Sequence, residues 1–198
     1  EGETEKAFKQ HLREYLQKRL TGGMPKLDFH CYYGRIPTGE KLKRIVERLL
    51  GDRKNPSDIV IALTDVYTGK TPPDFKNTED AKLKMKQWVG NESRFFPHVA
   101  LHDFEAWLIP YWASIKKLAG HNQNAPSGNP ETINHNRPPS YHIKEIFERG
   151  SKSRSYNKPR DAGRIMKDNG LDAAVEQCSE LKAMINTILT VCGENQLP

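Results

Sequence analysis

The chain has 198 residues, 36% hydrophobic and 28% charged, with a formal net charge of +6, a sequence pI of about 9.2 and a mean hydropathy of −0.77. This composition suits a globular domain long enough to bury a sheet between helices, and no apolar run approaches the ~20 residues a membrane helix needs. Three widely spaced cysteines (Cys31, Cys178, Cys192) form no CxxC pair and offer neither a zinc cluster nor a disulfide framework, and the opening residues carry no secretory pattern, so a cytoplasmic protein without a membrane partner is expected.

Ala7, Phe8, Leu12, Tyr15, Leu16 and Leu20 recur at three- and four-residue steps and predict a helix that Gly22-Gly23 ends. Leu27 to Tyr33 alternates and is aromatic-rich, which predicts a strand. A second amphipathic helix runs from Thr38 to Gly51. Asp58 to Asp65 is a continuous β-branched and apolar run, the pattern of a central parallel strand buried on both faces. Thr78 to Val89 predicts a helix, and Phe95 to Leu101 a further strand. Strands alternating with helices give an α/β fold with a parallel sheet flanked by helices.

Beyond the sheet, a helix from Phe104 is expected to bend or restart at Pro110. Gly120 to Ser140, rich in Asn, Pro, Gly and Ser, reads as a long loop, functional or mobile. A short helix around Ile143–Phe147, another over Asp161–Lys167 and a long one over Leu171–Val191 make a C-terminal helical region.

In open parallel sheets, ligands bind beyond the carboxyl ends of the strands. Asp65 stands at one such end; His102, Asp103 and Glu105 stand at another. Glu1 and Glu5 would stand at a third if a strand precedes Glu1. Carboxylates are costly to bury without a cation or donors, so acids converging on one edge suit Mg2+ or Mn2+, which take a few carboxylates plus water and phosphate. Such a site can activate water on a phosphodiester. The alternative is purely structural: Asp103 caps a helix at Phe104 and Glu105 lies in its first turn.

Glu1-Gly2-x-Thr4-Glu5, a strand ending in Asp65-x-Tyr67, and His102-Asp103-Phe104-Glu105-Ala106 together resemble a Toprim-like family related to the OLD nucleases. Asn129-Pro130-Glu131, Pro139-Ser140, Tyr156-x-Lys158 and a C-terminal helix with Cys178 extend the resemblance along nearly the whole chain. It implies a Toprim-like α/β domain over residues 1–119, with residues 120–198 completing the same unit. It implies that Glu1 acts as acid/base or metal ligand. Asp65 would hold the metal, with Glu5, Asp103 and Glu105 as further ligands, and Lys158 would be the catalytic lysine. The implied activity is metal-dependent cleavage of DNA or RNA in anti-phage defence, beside an ATPase subunit. Two departures stand out: Tyr67 replaces the second Toprim aspartate, and the hydrophobic strand that precedes the first glutamate is missing.

Lys152, Arg154, Lys158, Arg160 and Arg164, with Lys167 and interspersed serines, form a basic segment suited to phosphate contacts or simply to solvent. His98 and His102 are four apart, but four strand residues span roughly 13 Å and cannot share a metal. Glu131 and Asn134 either shape the site or start a helix. Trp88, Trp107 and Trp112 are expected in the core. There is no GxxxxGK[ST] motif, so the chain is not itself a P-loop ATPase. Two other functions fit the same residues: a catalytically silent binding or regulatory subunit, and a phosphatase acting on a small substrate.

Overall fold

Asp58–Asp65 and Phe95–Leu101 become the two strands of a parallel pair, β1 (Val60–Asp65) and β2 (Phe95–Ala100), in register from Val60 opposite Phe95 to Asp65 opposite Ala100. The computed structural model describes residues 3–32, 36–66, 73–133, 137–152 and 154–198, with side chains from Ala7 onward. Helix α1 (Glu3–Gln17) and helix α2 (Glu40–Leu50) precede the strands. Helix α3 (Thr78–Val89) is the crossover between them. After β2 comes a 3₁₀ helix (Phe104–Tyr111), then α4 (Trp112–Ala119), a 3₁₀ turn (Pro130–Thr132), α5 (Pro139–Arg149), α6 (Lys158–Asn169), α7 (Asp172–Gln177) and α8 (Ser179–Val191).

The apolar run of β1 is consumed by the two-residue alternation of a strand. Val60 and Ala62 join one apolar cluster with Leu42 and Val46 of α2 and Ala81 and Met85 of α3. Ile61 and Leu63 pack against the other cluster, which unites α1, the 3₁₀ helix and α4 to α8. Helices thus cover both faces, as the sequence predicts. α3 starts where Asn77 accepts the Asp80 N–H at 2.8 Å, with Glu79 and Asp80 in the dipole-favoured first turn. It stops at Gly90, whose φ of 88° only glycine adopts freely.

Three expectations change. Among the described residues the sheet has two strands, and Leu27–Tyr32 is not a third. Leu27 and Phe29 do pack against the core, as their alternation requires, but their backbone lies in no ladder. Tyr33 lies outside the described residues. The long C-terminal helix is two helices, broken at Cys178, whose extended backbone (φ −116°, ψ 102°) lets a new N-terminus form at Ser179. The 120–140 loop is tied down: the Gln123 carbonyl accepts the Trp112 indole N–H at 2.8 Å, and Asn129 donates to the Gln177 carbonyl at 3.1 Å.

Candidate functional site

The chain leaves β2 through His102, the non-glycine residue with a left-handed backbone among those described (φ 70°). A bulky side chain there is uncommon and strained. The turn aims Asp103 and Glu105 away from the strand line and into the helical layer. Asp103 occupies the cap position of the 3₁₀ helix, yet its side chain makes no cap hydrogen bond. Its Oδ2 instead accepts the Ser140 N–H at 3.3 Å, at the start of α5. Its Oδ1 is buried and makes no hydrogen bond among the described residues. Asp103 thus stands at the cap position with Glu105 in the first turn, as the structural alternative expects, while its carboxylate reaches across to α5.

Glu105 is completely buried. Lys158, the first residue of α6, donates to its Oε2 at 3.1 Å, and the Tyr156 hydroxyl donates to its Oε1 at 3.5 Å. Asn157 fixes the lysine's position by capping α6, its side-chain oxygen accepting the Arg160 N–H at 3.0 Å. The Lys158 side chain keeps 45% of its surface in solvent while its ammonium bonds the fully buried Glu105.

Electrostatics join these groups into one unit. Burial pushes both carboxyls up; for Glu105 the charge of Asp103 adds to it, and Lys158 pulls both back down. Burial is the main cause for both, and Ser140 holds Asp103 down before Lys158 does. Burial disfavours the Lys158 ammonium, but Glu105, then Asp103 and Asp65, outweigh it and hold it charged. Asp65, the last residue of β1, adds the smallest of these three effects. Among the described residues no group of three or more His, Cys, Asp or Glu side chains is arranged to hold a metal ion. Glu1 and Tyr67 lie outside the described residues, and so does the side chain of Glu5 in the first turn of α1. The fit to a hard cation rests on Asp103 Oδ1, a buried carboxylate oxygen awaiting a partner. Mg2+ needs only one or two protein carboxylates beside water and phosphate.

The basic segment divides. Arg154 grips both oxygens of the fully buried Asp161 (2.7 and 3.1 Å), and Arg160 adds bonds at 3.1 and 3.2 Å. The Asn157 N–H donates to the same carboxylate at 2.9 Å. Burial alone would raise Asp161; these donors outweigh it and hold the carboxyl at about 2. Arg154 also stacks over Phe147, 4.6 Å from the ring centre. Lys152, Arg164 and Lys167 are exposed. Of the five basic residues singled out by sequence, one is in the acidic site, two clamp Asp161 and two face solvent.

Glu131 belongs to a different structure. Its carboxylate accepts from the Trp107 indole (3.3 Å), the Ser179 hydroxyl (3.0 Å) and the Glu180 N–H (3.1 Å), and so starts α8. Asn134 lies outside the described residues. His98 pairs with Thr187 of α8 at 2.9 Å and, buried, has its pKa pushed down to about 4. Sequence reasoning missed Asp161, although an acid inside a basic run just after a helix-capping asparagine signals a buried clamp. It quoted Tyr156 and Ser140 only as motif members, without their hydrogen bonds to Glu105 and Asp103.

The chain matches the model of DUF4276, a domain of unknown function, over residues 1–189. It belongs to the DUF4276 family. No curated protein and no solved structure matches it. Among the described residues of this DUF4276 chain, no helix is long and apolar enough to cross a membrane.

Proposed function

We propose that this DUF4276 chain is a Mg2+- or Mn2+-dependent phosphodiesterase acting on DNA or RNA, built on a Toprim-like sheet. In this reading it is a cytoplasmic defence effector beside an ATPase subunit. The observation that carries the metal site is the pair of buried carboxylates at one strand end, one of which has an unpartnered oxygen. Asp103 and Glu105 would hold the ion, with Asp65 at the neighbouring strand end and Glu1 and Glu5 from the start of the chain. A bound divalent ion would lower the pKa of water and stabilise charge on the breaking bond. Lys158, charged and with a part-exposed side chain, is suited to a phosphate oxygen. Exposed Lys152 and Arg164 would track the phosphate chain. Arg154 and Arg160 would contribute through Asp161, by holding the start of α6 and hence Lys158. The nuclease, defence and ATPase parts of this reading rest on the resemblance of the motifs to OLD nucleases.

One observation favours the catalytically silent alternative: the site already contains its own cation, Lys158, on Glu105. The test is cleavage of supercoiled plasmid and of total transfer RNA with MgCl2 or MnCl2, wild type beside Glu105→Gln. Cutting that requires metal and is lost in the variant supports the nuclease. Equal cutting by both removes Glu105 from the mechanism, and no cutting by either, while metal still binds, favours the silent subunit.

A further inference from the structure

The acidic site already holds a cation of its own. The Lys158 ammonium lies 3.1 Å from Glu105 Oε2 and is held charged by Asp103 and Asp65 as well. The ammonium contacts one carboxylate, Glu105, and feels the charge of the other two. The site is nevertheless incompletely neutralised: Asp103 Oδ1 is buried and makes no hydrogen bond among the described residues. The lysine also has a way out. Its side chain is 45% exposed and it is the first residue of α6, so its head can swing to solvent without repacking the core. Tyr156, by contrast, is buried against Phe147 and keeps its hold on Glu105 Oε1.

We propose that Lys158 is a built-in placeholder cation: it occupies the Glu105 side of the acidic site at rest, and a divalent ion enters only by displacing it. The displaced ammonium then faces the mouth of the site, where a phosphate would be. This inference rests on the metal-site reading above and adds to it a competition within the chain. A placeholder makes three statements that a purely phosphate-binding lysine does not. Removing its charge tightens metal binding, because two like charges no longer contend for the same carboxylates. Retaining the charge as arginine does not tighten it. Metal stabilises the charge-deleted protein more than the wild type, because it refills an emptied pairing.

The test is calorimetric titration of MnCl2 into the full chain, with no nucleic acid, for wild type, Lys158→Ala, Lys158→Gln and Lys158→Arg. The glutamine variant keeps a donor for Glu105, should the alanine variant fail to fold. Thermal unfolding with MnCl2 and with EDTA provides a second readout. The expected result is at least tenfold tighter Mn2+ binding in the alanine and glutamine variants and no gain in the arginine variant, with a larger Mn2+-induced rise in melting temperature in the two neutral variants. Equal or weaker Mn2+ binding in the neutral variants, with wild type binding normally, overturns the placeholder and leaves the metal site standing. Absence of Mn2+ binding by wild type and every variant overturns the metal site and the placeholder together.

Discussion

Asp161→Asn isolates the clamp that positions α6. Asp161 is fully buried and receives five hydrogen bonds from Arg154, Arg160 and the Asn157 N–H. Its carboxyl titrates at about 2 against an ordinary 3.8. A folded pKa below the unfolded one means stability that is complete above the unfolded value and lost as pH falls through the folded one. The displacement corresponds to roughly 2 kcal/mol at neutral pH. Breaking a fully buried pair costs more, ~3–5 kcal/mol. Here both arginine side chains reach solvent, with exposures of 25% and 47%, so the smaller figure applies. Asparagine imitates the protonated acid. Urea unfolding at pH 7 is expected to show the variant about 2 kcal/mol less stable with an unchanged m-value, and the gap is expected to shrink by about half at pH 3. A loss below ~0.5 kcal/mol at pH 7, the level of an ordinary surface change, would refute the clamp and return Arg154 and Arg160 to the pool of residues free to bind phosphate.

Three further outcomes are expected. His98 is buried and its pKa lies near 4, so the unfolded chain binds a proton first as pH falls from about 6.5; wild type should lose up to about 3 kcal/mol between pH 6.5 and 4. His98→Gln, which can still bond Thr187, should flatten that slope, and identical slopes in both proteins would defeat the assignment. Glu131→Ala strands the Trp107 indole and uncaps α8; a loss of about 3 kcal/mol in urea unfolding is expected, and a change near zero would show that Glu131 does not hold that junction. In nucleic-acid binding, Lys152→Ala and Arg164→Ala should each reduce the slope of log affinity against log salt by about 1; slopes equal to wild type would take these residues off the interface.

Much of the strand-helix alternation was legible because it rests on local patterns. Val60–Leu63 alternates between two clusters, and Asn77 and Gly90 bracket α3 as capping chemistry requires. The break at Cys178 was not legible, because the α8 N-terminus is stabilised by Glu131, 48 residues away from Ser179 in sequence. The Leu27–Tyr32 segment kept its alternating burial but not its ladder, since alternation reports which side chains are buried and not whether a backbone partner is present. In the site, the strand-end rule singled out Asp65, Asp103 and Glu105, and the motif resemblance singled out Lys158, whose charge responds to all three acids. Composition could not sort the basic segment. Arg154 and Lys158 look alike as charges, and only the buried acids Asp161 and Glu105 decide where each goes.

Crystals grown with MnCl2 would locate the ion itself. An anomalous scattering peak is expected beside Asp103 Oδ1 and the Glu105 carboxylate, with the Lys158 ammonium moved off Glu105. Cleavage that depends on Mn2+, together with no peak at those two carboxylates, would contradict that placement.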